Sequence, residues 1–218
     1  MEMNFNLIDK EKWERRECFE HFINVASCSY SITVNVDITN LYNYLKENKL
    51  RMYPTFTWII SKCVNEIKEF RMGYDQDGNI GYFDYINPCY SVLNNDTKVM
   101  NDLNTEFKES FKEFYESMVY SLDAYKNDSS YSTEFYPNFF IVSCLPWFSY
   151  SSFNVNNEGS QPFLFPMITW GKYYEEKDKV LMPVTVQIHH AAADGYHCSL
   201  FYSKLSNIVE NPIEYLLR

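Results

Sequence analysis

An α/β chain is predicted, a two-layer α+β sandwich with one large mixed β-sheet covered by helices. Three observations carry this. Segments of period two (29–38, 139–145, 163–174 and 179–190) alternate with segments of helical spacing (40–49, 53–70, 102–126 and about 196–210). Aromatic residues make up 18% of the chain, with 19 Tyr and 17 Phe, and such side chains favour strands and subunit contacts. No repeat, low-complexity run or Pro/Gly/Ser-rich linker interrupts the 218 residues, so one domain over 1–218 is expected.

In SYSITVNVDI the residues Ile32, Val34, Val36 and Ile38 share one face, the pattern of a half-buried strand. NLYNYLKENK follows as a helix with Asn40 as its N-cap. YPTFTWIISKCVNEIKEF places Pro54 in a first helical turn, where a missing N–H costs least. FRMGYD and NIGYFDYI flank QDG and predict a hairpin. Over 102–126, Leu103, Phe107, Phe111, Phe114 and Met118 recur at helical spacing. FFIVSCL, FLFPMITWGKYY and KVLMPVTVQIHH read as strands, the last two joined by EEKD as a long hairpin.

The formal charge of −10 disfavours nucleic acid and anionic membranes as partners, since both demand dense Lys/Arg clusters. The six cysteines contain no C-x-x-C pair and no zinc spacing. The opening MEMNFNLIDKEKWERRE has no apolar run, and no segment is apolar enough to span a bilayer. A cytoplasmic protein with reduced thiols and no metal is expected. Asn95-Asp96-Thr97 and Asn127-Asp128-Ser129 fit the glycosylation pattern by chance on this reading.

Three of the four histidines fall in QIHHAAADGYH, residues 187–197. On a strand, His190 shares a face with Val184, Val186 and Ile188, while His189 points the other way with Thr185 and Gln187. Adjacent histidines that diverge cannot both hold one metal ion. A satisfied core histidine is the plain alternative. His190 at a strand end, beside three small alanines, also leaves room for a substrate and suits a general base. Asp194 either orients that histidine or braces the turn by pairing with Arg15 or Arg16, and spacing alone does not choose. Ser143-Cys144 lacks the elbow context of a nucleophile.

QIHHAAADGYH resembles the HHxxxDG signature of CoA-dependent acyltransferases. KWERRECFEHF, MYPTF, EFRM, FDYINPCYSV, VSCLPW, SFNVN and PMITWGKYY then follow in the order found in the chloramphenicol acetyltransferase family. The resemblance runs from about residue 4 to about 210. It implies a homotrimer with the active site between subunits, acetyl-CoA as co-substrate with no permanently bound cofactor, and chloramphenicol as acceptor. By the same resemblance His190 is the general base, Ser143 the oxyanion donor and Thr169 its support through water. Asp194 and Arg15 become a structural pair. Tyr53, Trp147 and Tyr173 contact CoA, with Arg51 and Lys172 as cations for its phosphates. Phe22, Cys28, Met100, Phe153 and Val155 contact the acceptor.

The chain departs from the family at LNNDTKVMND, where Met100 replaces a pocket phenylalanine and Asn94 a histidine. The loop before VSCLPW is short, Asn157 stands where an apolar residue is usual, and Ala193 replaces a frequent cysteine. These changes touch the acceptor pocket and motivate a second reading, the same chemistry on another small alcohol. A third reading is a non-catalytic trimeric binding protein of the same fold. An intact set of His190, Ser143, Thr169, Asp194 and Arg15 speaks against it.

Overall fold

The computed structural model describes residues 5–156 and 162–217, so Asn157 lies outside the described residues. The elements run in the order β1 (Phe5–Leu7), α1 (Arg16–Asn24), β2 (Ser29–Asp37), α2 (Thr39–Asn48) and α3 (Met52–Asn65). A short 3-10 turn (Lys68–Arg71) leads into β3 (Met72–Tyr74), β4 (Ile80–Phe83), β5 (Asn87–Leu93), β6 (Met100–Asn104) and α4 (Phe111–Asn127). Then come β7 (Phe139–Leu145), β8 (Met167–Gly171), β9 (Tyr174–Glu176), β10 (Lys179–His189), α5 (Gly195–Glu210) and α6 (Pro212–Leu216).

The large sheet has the order β2-β10-β8-β7-β5-β6, with β9 added beside β10. It is mixed: β7 runs parallel to β5 and β8, and the other pairs are antiparallel. A small sheet, β1-β4-β3, stands apart. The inner strand β10, second from the β2 edge, is buried along nearly its whole length, as a strand flanked on both edges and covered on both faces must be.

One face of the large sheet is apolar and carries the helices. Val142, Ile168, Val184, Val186 and Ile188 are all buried there. Phe56 and Tyr53 of α3 pack on Trp170 with ring centroids 5.0 and 5.7 Å apart. Tyr202 of α5 reaches into the β2–β10 ladder: its one hydroxyl proton is shared between Ile32 O at 2.7 Å and Val184 O at 2.9 Å, and its oxygen accepts from Val186 N–H at 3.2 Å. The largest fully buried side chains are led by Trp58, Tyr90, Phe56, Phe70, Phe114, Phe140 and Phe201, so much of the aromatic content fills this layer.

The other face is polar. Thr33, Thr185, Thr169 and Ser143 fall in one register row across four adjacent strands. The two threonine hydroxyls at one end of the row are linked: Thr33 Oγ1 lies 2.8 Å from Thr185 Oγ1, which donates to Tyr150 Oη at 3.2 Å, which donates to the Thr169 backbone carbonyl at 2.6 Å. Buried hydroxyls must be paired, and Tyr150 from the following loop supplies what the strands lack.

Four expectations are corrected. Asn40 is not an N-cap: α2 begins at Thr39, whose N–H donates to Asp37 Oδ1 at 3.1 Å, and the Asn40 amide donates to Glu210 O. α3 ends at Asn65, not 70: Glu66 is its C-cap, the backbone is extended at Ile67, and the Asn65 side chain ties the helix end to Ile86 O and Ile86 N. The helix expected over 102–126 starts only after the N-cap Ser110; Leu103 is in β6 and Phe107 in the loop, both buried. Helical spacing there arose from a strand and a helix burying residues in succession. The run 163–174 contributes β8 only from Met167, just past Pro166, which cannot donate to a ladder. The β9–β10 hairpin closes through Lys177 and Asp178, both at positive φ, the two-residue type I′ geometry.

Gly171 ends β8 where a Cβ would lie 2.9 Å from both the Pro183 ring and the Tyr150 ring. Gly171→Ala is expected to destabilise the fold by about 1–3 kcal/mol through overpacking, read as a lowered urea midpoint at unchanged m-value.

Candidate active site

The HHxxxDG stretch is the link between β10 and α5. β10 ends at His189, the alanines 191–193 are fully buried, and Asp194 caps α5 by accepting Tyr196 N–H at 3.0 Å. Asp194 N–H donates in return to His197 Nδ1 at 3.2 Å, a reciprocal capping box. The two histidines diverge as strand alternation requires. His189 is buried; its Nδ1 accepts Ala191 N–H at 3.2 Å and its Nε2 lies 3.3 Å from Ser27 Oγ. Burial first, and the neighbouring His190 second, lower its pKa and keep it neutral. It behaves as a satisfied core histidine.

His190 is different. Its ring stacks face to face on Phe22 at 3.9 Å and 5°, with Tyr30 tilted against it at 5.1 Å. Its backbone N–H donates to Cys28 O at 2.9 Å. Nδ1 is buried with no hydrogen-bond partner among the described residues, so Nε2 is the nitrogen that reaches the surface. Arg15 Nη1 donates to Asp194 Oδ2 at 2.7 Å. Arg16 instead pairs with Glu20, so of the two arginines it is Arg15 that braces the turn. Burial opposes the Asp194 charge, but the Arg15 hydrogen bond, His197 and the Tyr196 N–H outweigh it and hold the pKa below the ordinary 3.8.

Ser143 and Thr169 are paired across β7 and β8 on the polar face; Thr169 is buried and Ser143 half-buried. They are not near His190 of the same chain. Five residues along β10 and two strand spacings separate Ser143 from His190, about 19 Å at ordinary strand dimensions.

Two cavities flank these residues. A cavity of about 710 Å³ opens on the polar face and is lined by Cys28, Phe153, Val155, Met167, Gln187 and His189 among others. Three of the expected acceptor residues, Cys28, Phe153 and Val155, meet there, while Phe22 stands behind His190. Met100 does not join them. It lines a second cavity of about 450 Å³ on the helix side, with Arg51, Tyr53, Asn94, Cys144 and Trp147. Asn94 there is a turn residue, its Oδ1 accepting Asp96 N and Thr97 N across the β5–β6 connection.

Arg51, Tyr53 and Trp147, expected at CoA, thus share one cavity. Tyr53 Oη donates to Ser91 O at 2.8 Å, and burial raises its pKa. Arg51 Nη1 pairs with Asp123 at 2.8 Å, both side chains being exposed to solvent. Lys172 and Tyr173 lie outside that lining. Lys172 is exposed, its N–H bonded to Phe148 O beside Trp147, and Tyr173 packs on Tyr42. Tyr150, Gln187 and His197 were not singled out from the sequence. A lone Gln on a strand that is otherwise apolar was the available signal, since a buried amide must find partners.

A mixed sheet with helices on one face is a fold this chain shares with solved acetyltransferases. The fold matches a solved chloramphenicol acetyltransferase at TM-score 0.83, covering 94% of this chain and 100% of that one at 24% identity. It matches a probable dihydrolipoamide acetyltransferase from Listeria monocytogenes at 0.66, with 16% identity over 91% of this chain and 92% of the other. The family model described as chloramphenicol acetyltransferase matches residues 3–206. A chloramphenicol acetyltransferase of Clostridium perfringens is 39% identical, covering 96% of each chain. One of Staphylococcus aureus is 34% identical, covering 99% of this chain and all of the other. The protein is an acyltransferase, and the chain belongs to the chloramphenicol acetyltransferase family.

Because the folded Asp194 pKa is depressed, its pairing stabilises the fold above pH 3.8, and that contribution is lost as pH falls through the lower folded value. Arg15→Ala is expected to cost about 2 kcal/mol at pH 7, allowing for the solvent that reaches Asp194. The difference from wild type should shrink when urea unfolding is repeated in acid below the folded pKa.

Proposed function

We propose that the protein transfers the acetyl group of acetyl-CoA to the 3-hydroxyl of chloramphenicol, and that His190 is the general base. The observation that carries this reading is the state of the His190 ring. It is clamped by Phe22 and Tyr30 and sealed at Nδ1, and so presents a single nitrogen at the end of β10. The family and the names of its relatives supply donor and acceptor.

A base at Nε2 requires the proton of the neutral ring to sit on Nδ1. Nε2 then takes the proton of the 3-hydroxyl as its oxygen attacks the thioester carbonyl. The tetrahedral oxyanion accepts the Ser143 hydroxyl, and Thr169 supports it through water. Collapse expels CoA thiolate, which takes back the proton from the imidazolium, so no acyl-enzyme forms. Asp194 and Arg15 move no proton; they hold the turn. CoA runs past Tyr53 and Trp147 toward Tyr173, with Arg51 and Lys172 as cations, and is a co-substrate, not a resident cofactor. The acceptor occupies the larger cavity against Cys28, Phe153 and Val155, with Phe22 behind the base. The departures Met100 and Asn94 line the other cavity of the same chain, beside Cys144.

Ser143 and His190 of one chain are too far apart to share a substrate, which supports a site built from His190 of one copy and Ser143 of another. We therefore adopt the homotrimer that the family resemblance implies. We also place the enzyme in the cytoplasm; six unpaired cysteines fit that compartment.

Thiol release from acetyl-CoA in the presence of chloramphenicol is the expected activity, with none above background in His190→Ala. A wild type that releases no thiol would sink the acceptor assignment. Ser143→Ala should lower kcat by roughly 10²-fold, the usual cost of one oxyanion donor. Subunits carrying His190→Ala, refolded with subunits carrying Ser143→Ala, should regain part of the activity; mixtures as dead as their components would place both groups in one chain.

A further inference from the structure

The Gln187 side chain has no part in the chemistry above, yet it is among the most tightly held polar groups on the sheet. It is buried on the polar face of β10, two residues before His189. Its Nε2 donates to Val155 O at 2.6 Å and its Oε1 accepts Val155 N–H at 2.7 Å. Ser31 Oγ donates to the same Oε1 at 3.3 Å. One amide therefore exchanges both hydrogen bonds with one backbone residue, as two directly opposed residues do in an antiparallel ladder. No strand pairs with the loop at Val155 among the described residues; the side chain stands in for one.

The loop so held carries Phe153 and Val155, which line the larger cavity together with Cys28, Ser31 and His189 of the strands beside it. We propose that Gln187 is the positioning residue that sets acceptor specificity, by fixing the Val155 backbone and hence the width of this cavity. The inference rests on the assignment of that cavity to the acceptor. Gln187 matches both the donor and the acceptor of Val155, so no isosteric apolar residue replaces it: a leucine would leave a backbone N–H and C=O without partners. Freed of this tie, the loop has only its flanking contacts to hold it, and the acceptor must itself bear the cost of ordering it.

Steady-state kinetics of Gln187→Leu, with both substrates varied, tests this. The acceptor KM should rise about ten-fold, the order expected for a pair of buried bonds lost, while kcat and the acetyl-CoA KM stay within about two-fold. Gln187→Glu keeps the acceptor for Val155 N–H but faces Val155 O with a second oxygen. Its acceptor KM should fall as pH drops, because the protonated carboxyl regains a donor. Ser31→Ala, which removes only the flanking bond, should shift the acceptor KM in the same direction by less, and it keeps the test open if Gln187→Leu fails to fold. Phe153→Ala separates the two layers of the argument. If it raises the acceptor KM while the Gln187 variants and Ser31→Ala do not, the cavity assignment stands and Gln187 is only structural. If neither Phe153→Ala nor Gln187→Leu moves the acceptor KM, the cavity is not the acceptor pocket and the proposal falls with it.

Discussion

Pairing on both edges and covering on both faces is the demand that the inner strand β10 makes on the rest of the chain. A strand so placed has no water to satisfy its backbone, so β2 and β8 must lie along it in register. Its side chains alternate, and the two sets are treated differently. Val184, Val186 and Ile188 are buried in the apolar layer that carries the helices, while Thr185, Gln187 and His189 point to the polar face. The polar set is then paired by hydroxyls, a loop tyrosine and a loop backbone. Ser143 and Thr169, paired in register on the neighbouring strands, lie on this same polar face.

The end of the same strand explains why two adjacent histidines have different characters. His189 still obeys the alternation and is buried among partners that use both ring nitrogens. His190 is past the last ladder pair and is oriented by aromatic stacking instead of hydrogen bonds. A ring held by its faces keeps its edge free, whereas a ring held by its nitrogens does not. The Arg15–Asp194 pair then fixes where the turn ends.

Much of this was legible in the sequence. Strict alternation in SYSITVNVDI and VTVQIHH marked β2 and β10 to within a residue or two, and the stretch FFIVSCL coincides with β7. The hairpin around Gly78 was marked by its turn residues. The misreadings have physical causes. Leu103 and Phe107 share a helical spacing with Phe111 although they lie in a strand and a loop, because burial recurs whatever the backbone does. Asn40 looks like a cap, but the N-cap is Ile38, and Asp37 just before it accepts the Thr39 N–H. The candidate site was legible as a turn and as a set of residue types. Its division between two cavities was not, since Met100 and Val155 are sorted by tertiary packing that no local pattern encodes. Gln187 was visible as an oddity and silent as to its partner.

The hydroxyl of Tyr202 inserted in the β2–β10 ladder has a consequence for how this family can vary in length. That contact sets the rotation and height of α5 against the sheet, and the Asp194 cap sets where the same helix begins. The link from His189 to Asp194 therefore spans two points whose separation is already fixed. Its three alanines are wholly enclosed, so there is no bulge into which an extra residue could be pushed. An insertion or deletion here must either unseat the tyrosine from the ladder or draw the cap off the helix. Evolution can rewrite the loops around both cavities residue by residue, but between that histidine and that aspartate it can change letters and not the count.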